Sequence, residues 1–271
     1  MAMDGTGEGA LALGGGRGDC HSALFLHGGP GLTAAMERHW YQDRLPIYWW
    51  DQPAAQRFSE LVDAAAAELE SFARPVHLVA HSFAGSIARA LADACPERIS
   101  RLTLLSCPFD TALGAVRVCR SAAALRNGEL ALATDRAERS ADPDAFRAMV
   151  QAAVADPLFA TVYFGPGSQA ARERFLEAAP QHFSFDFDTY CFVMAEFVGK
   201  SPRVDPSAYR GSVRLVLGRH DVALAPEEDL DRWRRVFPQL SVRWVDTGHF
   251  VQFEAEPGLW FGDAREAGQE P

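Results

Sequence analysis

The sequence is short of positive charge: 26 lysines and arginines stand against 36 aspartates and glutamates, a formal net charge of −10. Without clustered basic residues it lacks the footprint of a nucleic-acid surface, and the same balance disfavours binding to anionic membranes. No apolar run approaches the roughly 20 residues that a membrane-spanning helix needs. Residues 1–9 carry neither a basic stretch nor an apolar core of signal-peptide length. Cysteine is sparse: there are five, an odd number, with no CxxC among them and no HExxH elsewhere. Cys95, Cys107 and Cys119 recur at intervals of 12 residues, but nothing around them completes a metal site. These absences predict a reduced, cytoplasmic chain with no metal, no cofactor and no nucleic-acid or membrane partner. A monomer or homodimer acting on a small molecule fits them.

What is present suits one large α/β domain, since 271 residues at 48% hydrophobic and 23% charged can bury a substantial core. The chain is organised around residues 76–85, Val-His-Leu-Val-Ala-His-Ser-Phe-Ala-Gly. An apolar β-forming run breaks into small residues around Ser82, and an alanine-rich helical pattern follows at once. That predicts a strand, a sharp turn and a helix, with the serine on the turn. Ala80 and Ala84 supply the small side chains that such a reversal requires two residues either side of its tip, and Gly85 lies beyond. Glycine is more usual at those two positions, so this is a slightly bulkier variant.

Upstream, residues 5–19 are glycine-rich, with a possible edge strand over 10–13. Gly14-Gly15-Gly16-Arg17-Gly18 is not read as a phosphate loop, because it neither follows a convincing strand nor opens a helix. The strand at 23–26 runs into His27-Gly28-Gly29-Pro30-Gly31, where glycines let backbone N–H groups converge on one space as an anion hole. A strand at 47–50 ends in Asp51-Gln52-Pro53, and residues 56–72 form an amphipathic helix. Strand and helix alternate as in a parallel sheet.

A strand at 102–105 follows the helix stop Cys95-Pro96-Glu97-Arg98-Ile99, and then the alternation ceases. Residues 111–212 instead carry helical patterns at 115–126, 144–155, 169–179 and 189–198, with Asp142 and Pro143 as cap and first turn of the second. Such an insertion belongs over the C-terminal edge of the sheet, where ligands bind. The rhythm resumes with a strand at 213–217 ending in Gly218-Arg219-His220-Asp221, a helix over 226–237 and a strand at 242–245. Gly248-His249-Phe250 follows, and a closing helix starts over 250–256.

Taken together, His27-Gly28-Gly29-Pro30-Gly31, Ala80-His81-Ser82-Phe83-Ala84-Gly85, Pro96-Glu97-Arg98-Ile99, Gly218-Arg219-His220-Asp221 and Gly248-His249-Phe250 resemble the α/β-hydrolase family over nearly the whole chain. The resemblance implies an α/β fold with a mostly parallel, doubly wound sheet, a core of residues 1–110 and 213–271, and a helical cap over 111–212. It implies Ser82 as nucleophile, His249 as its base and Asp221 as the acid that orients the imidazole, in the family's chain order. The N–H groups of Gly29 and Phe83 would bind the oxyanion. Asp246 and Asp110 are the substitute acids. His81 is expected to be a packed side chain and His220 to face solvent.

In the cap, Phe183, Phe185, Phe187, Tyr190, Phe192 and Phe197 predict core packing and an apolar substrate pocket, with Phe183, Phe185 and Tyr190 as binding residues. Asp186, Asp188 and Glu196 read as a solvated face. The first loop is similar to that of proline iminopeptidases, but the elbow lacks their glycine-rich, tryptophan-bearing form, and no glycines follow Asp51-Gln52. The expected reaction is therefore hydrolysis of a small, largely apolar ester or thioester. Amide or peptide hydrolysis is the alternative, and a non-hydrolytic enzyme (a C–C lyase or cyclase) or a ligand-binding protein is a third reading.

Overall fold

A computed structural model describes residues 21–125 and 128–262; the glycine-rich start, the edge strand at 10–13 and the glycine run at 14–18 lie outside them. Six strands, β1 (Ala23–Leu26), β2 (Ile47–Trp50), β3 (Val76–His81), β4 (Ile99–Leu105), β5 (Ser212–Gly218) and β6 (Ser241–Val245), form one sheet in the order β2-β1-β3-β4-β5-β6. Every pairing is parallel. Parallel strands are covered on both faces, which is why these read as unbroken apolar runs in the sequence. Alternate residues feed two separate cores. Leu24, Leu26, Leu78 and Ala80 face one, with α2 (Phe58–Glu70), α3 (Ala84–Ala94) and α9 (Pro226–Val236). Ala23, Phe25 and Val79 face the other, with α1 (Ala35–Tyr41), α10 (Val251–Glu254) and α11 (Pro257–Trp260).

The strand order places a topological switch at the centre. From β1 the chain runs through α1 to β2 on one side, and from there it returns to β3 on β1's other side. The connections leaving β1 and β3 therefore depart in opposite directions and open a crevice between the two strand ends. Both the 27–31 loop and Ser82 sit at that crevice.

Between β4 and β5 come α4 (Thr111–Ala123), α5 (Gly128–Ser140), α6 (Pro143–Val154), a 3-10 turn (Phe159–Tyr163), α7 (Gln169–His182) and α8 (Phe187–Ala195). Several of these differ from the pattern-based boundaries. α4 starts at Thr111 because the Asp110 carboxylate accepts from the Leu113 N–H, closing the first turn early. α5 is an addition; it buries only Leu130, Thr134 and Ala137, too thin a stripe to show as an apolar face. α7 continues to His182 through Pro180. α8 starts at Phe187 under an Asp186 cap and ends at Ala195, short of residue 198. α1 has no counterpart in the sequence pattern, and the single closing helix is two short ones divided at Pro257.

Among the described residues, Cys95, Cys107, Cys119 and Cys191 are buried free thiols and no His/Cys/Asp/Glu group is arranged for a metal. No helix among them is long and apolar enough to cross a membrane.

Helix α9 braces the exits of β4 and β5. Its Asp229, buried, accepts from the N–H groups of Phe109 (3.0 Å) and Ala225 (2.7 Å), and Trp233 donates to the Cys107 carbonyl at 2.9 Å. Asp229→Ala would strand the buried Phe109 N–H and the half-buried Ala225 N–H, so we expect it to destabilise the protein by about 2–5 kcal/mol, since bonds to a charged group contribute about 1.5–3 kcal/mol each. A urea unfolding midpoint within error of wild type would contradict this.

Candidate active site

β3 ends at His81 and α3 begins at Ala84, so the reversal is compressed into two residues. Ser82 takes a left-handed backbone conformation (φ 55°), and its N–H is anchored to the Leu105 carbonyl at 2.9 Å. A non-glycine residue held there stores strain of order 1–3 kcal/mol. The small neighbours matter because of what lies against them. A Cβ on Gly28 would sit 2.8 Å from both the Ser82 Cβ and His81 Nδ1, and one on Gly85 would sit 2.8 Å from the Cys107 Cβ. Ala80 and Ala84 are completely buried in the same turn.

Ser82 Oγ lies 2.8 Å from His249 Nε2. On the other side of that ring, Nδ1 is 2.9 and 3.0 Å from the two oxygens of Asp221. The carboxylate can only accept, so Nδ1 carries the proton and Nε2 is left to accept from the Ser82 hydroxyl. Asp221 and His249 are buried at 8% and 3% exposure. Asp221 also accepts from the Ala223 N–H at 2.9 Å. The histidine loop is pinned by its own backbone: His249 N–H donates to the Tyr163 carbonyl at 2.7 Å, and Glu254 accepts from Gly248 and Gly165 at 2.9 and 2.8 Å.

The substitute acids are elsewhere. Asp246 is exposed and meets His220 Nε2 at 2.8 Å, and Asp110 is spent capping α4. His81 is packed as expected. It touches the His249 carbonyl through Nε2 at 2.9 Å, and burial pushes its pKa well below the usual histidine value.

The loop after β1 is built on Gln52 and Asp51, which the sequence pattern placed only at the end of a strand. Gln52 donates its side-chain N–H to the His27 carbonyl at 2.9 Å, and its backbone N–H faces His27 Nε2 at 3.4 Å. His27 Nδ1 in turn reaches the Gly28 carbonyl at 3.0 Å. Burial lowers the His27 pKa to about 4, so the ring is neutral. Asp51 accepts from the Ala34 N–H at 2.8 Å, and both its oxygens accept from Arg38 Nη2 at 3.0 and 2.9 Å, fixing the start of α1. Gly29 and Gly31 hold positive φ values of 63° and 79°, and the Gly31 carbonyl accepts from Asp186 N–H at 2.8 Å. Gly29 and Phe83 line the same cavity as Ser82, and Phe83 stands at the N-terminal mouth of α3, where backbone N–H groups have no partner within the helix.

That cavity measures about 460 Å³. Phe183, Phe185 and Tyr190 line it, as do Tyr163, Phe250, Val118 and Met194. Phe159 and Phe175 line it too, but Phe187, Phe192 and Phe197, the other aromatics singled out from the sequence, do not. Phe187 lies under the Arg147 guanidinium at 4.7 Å, Phe197 packs edge-on against Phe58 and Phe83, and Phe192 is exposed. The cap carboxylates are exposed but engaged. Asp186 caps α8 and accepts from the Thr189 hydroxyl, Asp188 pairs with Arg147 at 2.7 Å, and Glu196 accepts from the Phe58 N–H at 2.8 Å.

A family model described as "Alpha/beta hydrolase family" matches residues 23–261. No curated protein matches the chain by sequence. Among solved structures the chain is similar to a proline iminopeptidase-related protein from Thermus thermophilus (18% identity, TM-score 0.58, covering 88% of this chain and 85% of that one). A thermophilic esterase from Thermogutta terrifontis gives 17% identity and TM-score 0.56 over 88% and 85% of the two chains. An epoxide hydrolase from Bacillus megaterium gives 18% and 0.53 over 88% and 90%. At such identities the likeness is one of fold.

The neutral buried histidines set an acid limit. His27 is lowered from 6.5 to about 4, and His77 and His81 are lowered in the same direction, each chiefly by burial. The unfolded chain therefore takes up protons between pH 6.5 and about 4 that the folded chain refuses. Stability is lost as pH falls through that window, by about 3 kcal/mol for His27 alone. Urea midpoints at about pH 7, 5.5 and 4.5 should fall in that order, and His27→Asn should flatten the slope; a level profile would contradict it.

Proposed function

The chain belongs to the α/β-hydrolase family, and from that premise we propose that it is a serine hydrolase that cleaves small, largely apolar carboxylic esters or thioesters through an acyl-enzyme. The observation that carries the reading is the unbroken hydrogen-bonded line from Ser82 through His249 to buried Asp221, opening on a cavity with mostly apolar walls. A free serine hydroxyl is a weak nucleophile at neutral pH and needs such a base.

In the first half-reaction Ser82 Oγ attacks the substrate carbonyl carbon while His249 Nε2 takes its proton. Asp221 stabilises the imidazolium. The N–H groups of Phe83 and Gly29 receive the carbonyl oxygen as it becomes an oxyanion, and each such donor is typically worth about 10²- to 10³-fold in rate. The intermediate collapses, the bond to the leaving oxygen or sulfur breaks, and His249 returns the proton to it. Water then attacks the acyl-enzyme with the same histidine as base, releasing the acid and restoring Ser82.

Amide hydrolysis is the second reading, and one observation favours it: Glu37, a buried carboxylate able to hold a substrate amine, lines the cavity. Asp186, Asp188 and Glu196 do not add to it, each being engaged as described.

A panel of p-nitrophenyl esters and aminoacyl naphthylamides discriminates these. We expect ester turnover that falls by about 10³-fold or more in Ser82→Ala and by roughly 10⁴-fold in Asp221→Asn. An organophosphonate should add one adduct, mapped to Ser82. Turnover confined to amides would select the second reading, and turnover retained in Ser82→Ala would remove the serine mechanism.

A further inference from the structure

The cavity is apolar on most sides but not on all. Glu37, on the inner side of α1, and Gln252, in α10, both line it, with exposures of 5% and 1%. Gln252 Nε2 lies 3.3 Å from Glu37 Oε1 and 3.5 Å from His81 Nδ1. His81 Nε2 is 2.9 Å from the His249 carbonyl, so the ring proton sits on that nitrogen and Nδ1 is an acceptor. The Gln252 amide nitrogen thus faces two acceptors, which fixes the orientation of the amide and turns Oε1 away from both. Oε1 is buried with no hydrogen-bond partner among the described residues.

Gln252 Oε1 is thus the acceptor left without a donor, while Glu37 already takes the Gln252 amide N–H at its Oε1. Arg38, next to Glu37, is committed to Asp51 by a two-point contact, and burial pushes the Glu37 carboxyl up to about 7. Tyr41 and Gln252 are tied together through the Tyr41 hydroxyl and the Gln252 backbone carbonyl, which holds α1 against α10 and the two acceptors side by side. A buried acceptor without a donor, as Gln252 Oε1 is, is costly to keep, and a ligand that supplies the donor relieves that cost.

We propose that Glu37 and Gln252 form a polar subsite of the cavity that recognises a substrate bearing an O–H or N–H donor on an otherwise apolar skeleton. This rests on the cavity being the substrate site. A hydroxyl satisfies the pair whichever protonation state Glu37 holds, because a neutral carboxyl keeps a carbonyl oxygen. An ammonium group binds the ionised carboxylate.

The test uses the Ser82→Ala protein, in which binding is read without turnover. Calorimetric titration compares 4-phenylbutan-1-ol, 4-phenylbutylamine and 4-phenylbutyl methyl ether, which share a skeleton but differ in donors. The alcohol or the amine should bind about tenfold tighter than the ether or better. Glu37→Leu, or Gln252→Leu where the first fails a thermal-unfolding check, should shrink that preference. Glu37→Gln should keep a preference for the alcohol and lose one for the amine, which tells the two donor types apart. Three ligands binding within about twofold of one another, or a preference that survives both leucine substitutions, would overturn the proposal. Because this titration needs no functional nucleophile, it can fail while the ester panel succeeds, and the reverse.

Discussion

The site depends on how closely two backbone turns can approach. Sheet pairing sets Leu26 beside Ala80, so the loops leaving β1 and β3 start one strand spacing apart and then converge. They converge until residue 28 has no room for a side chain: a Cβ there would lie 2.8 Å from His81 Nδ1 and from the Ser82 Cβ. That proximity brings the first loop and the elbow together beside Ser82. The left-handed φ of Ser82 belongs to the same arrangement, since it turns β3 into α3 within two residues and leaves the hydroxyl on the crest. The strain held there is offset by the dense packing of Ala80, Ala84 and Gly85 beneath it.

From this centre the constraints run outward through buried polar groups rather than through apolar contact alone. Asp221 leaves β5 on a loop that Asp229 fixes from α9. His249 leaves β6 on a loop sewn to residues 163–165 through the Tyr163 carbonyl and the doubly accepting Glu254. The first loop is joined to the segment before α8 by the Gly31 carbonyl and by a bridge between Leu32 and Phe185. The helices between β4 and β5 therefore do more than roof the cavity. Two of their connecting segments take part in holding the His249 loop and the loop after β1, so a shift of those segments is felt at both.

Much of this was legible in the sequence because its signals are local or ordinal. Strands buried on both faces read as apolar runs, the elbow reads as small residues flanking Ser82, and Asp221 and His249 stand just past strand ends in the expected order. What escaped lies in partnership rather than residue type. α1 carries the charged Glu37 on its buried face, which breaks the apolar periodicity that marks a helix. Gln52 looks like a turn residue until its amide is found under the His27 carbonyl. Asp186, Asp188 and Glu196 are exposed as expected, yet each has a structural partner that no sequence pattern reveals. Asp246 and Asp221 both follow strands, and only the geometry at His249 separates them.

The depressed pKa values of the surrounding histidines complete the electrostatic argument for His249 as base. The His81 ring centroid lies 4.9 Å from that of His249. Two positive charges at about that distance, at an effective dielectric near 20, would repel by about 3 kcal/mol. A protonated His81 would therefore oppose the proton transfer from Ser82 to His249 that we propose. Burial removes that obstacle by keeping His81 neutral, with its one proton directed at the His249 carbonyl instead. His27 is neutral for the same reason, so the loop after β1 brings backbone dipoles rather than a charged ring to the cavity. Asp221 is then the group placed to answer the charge that His249 acquires, and its acceptance of the Ala223 N–H holds it in position to do so.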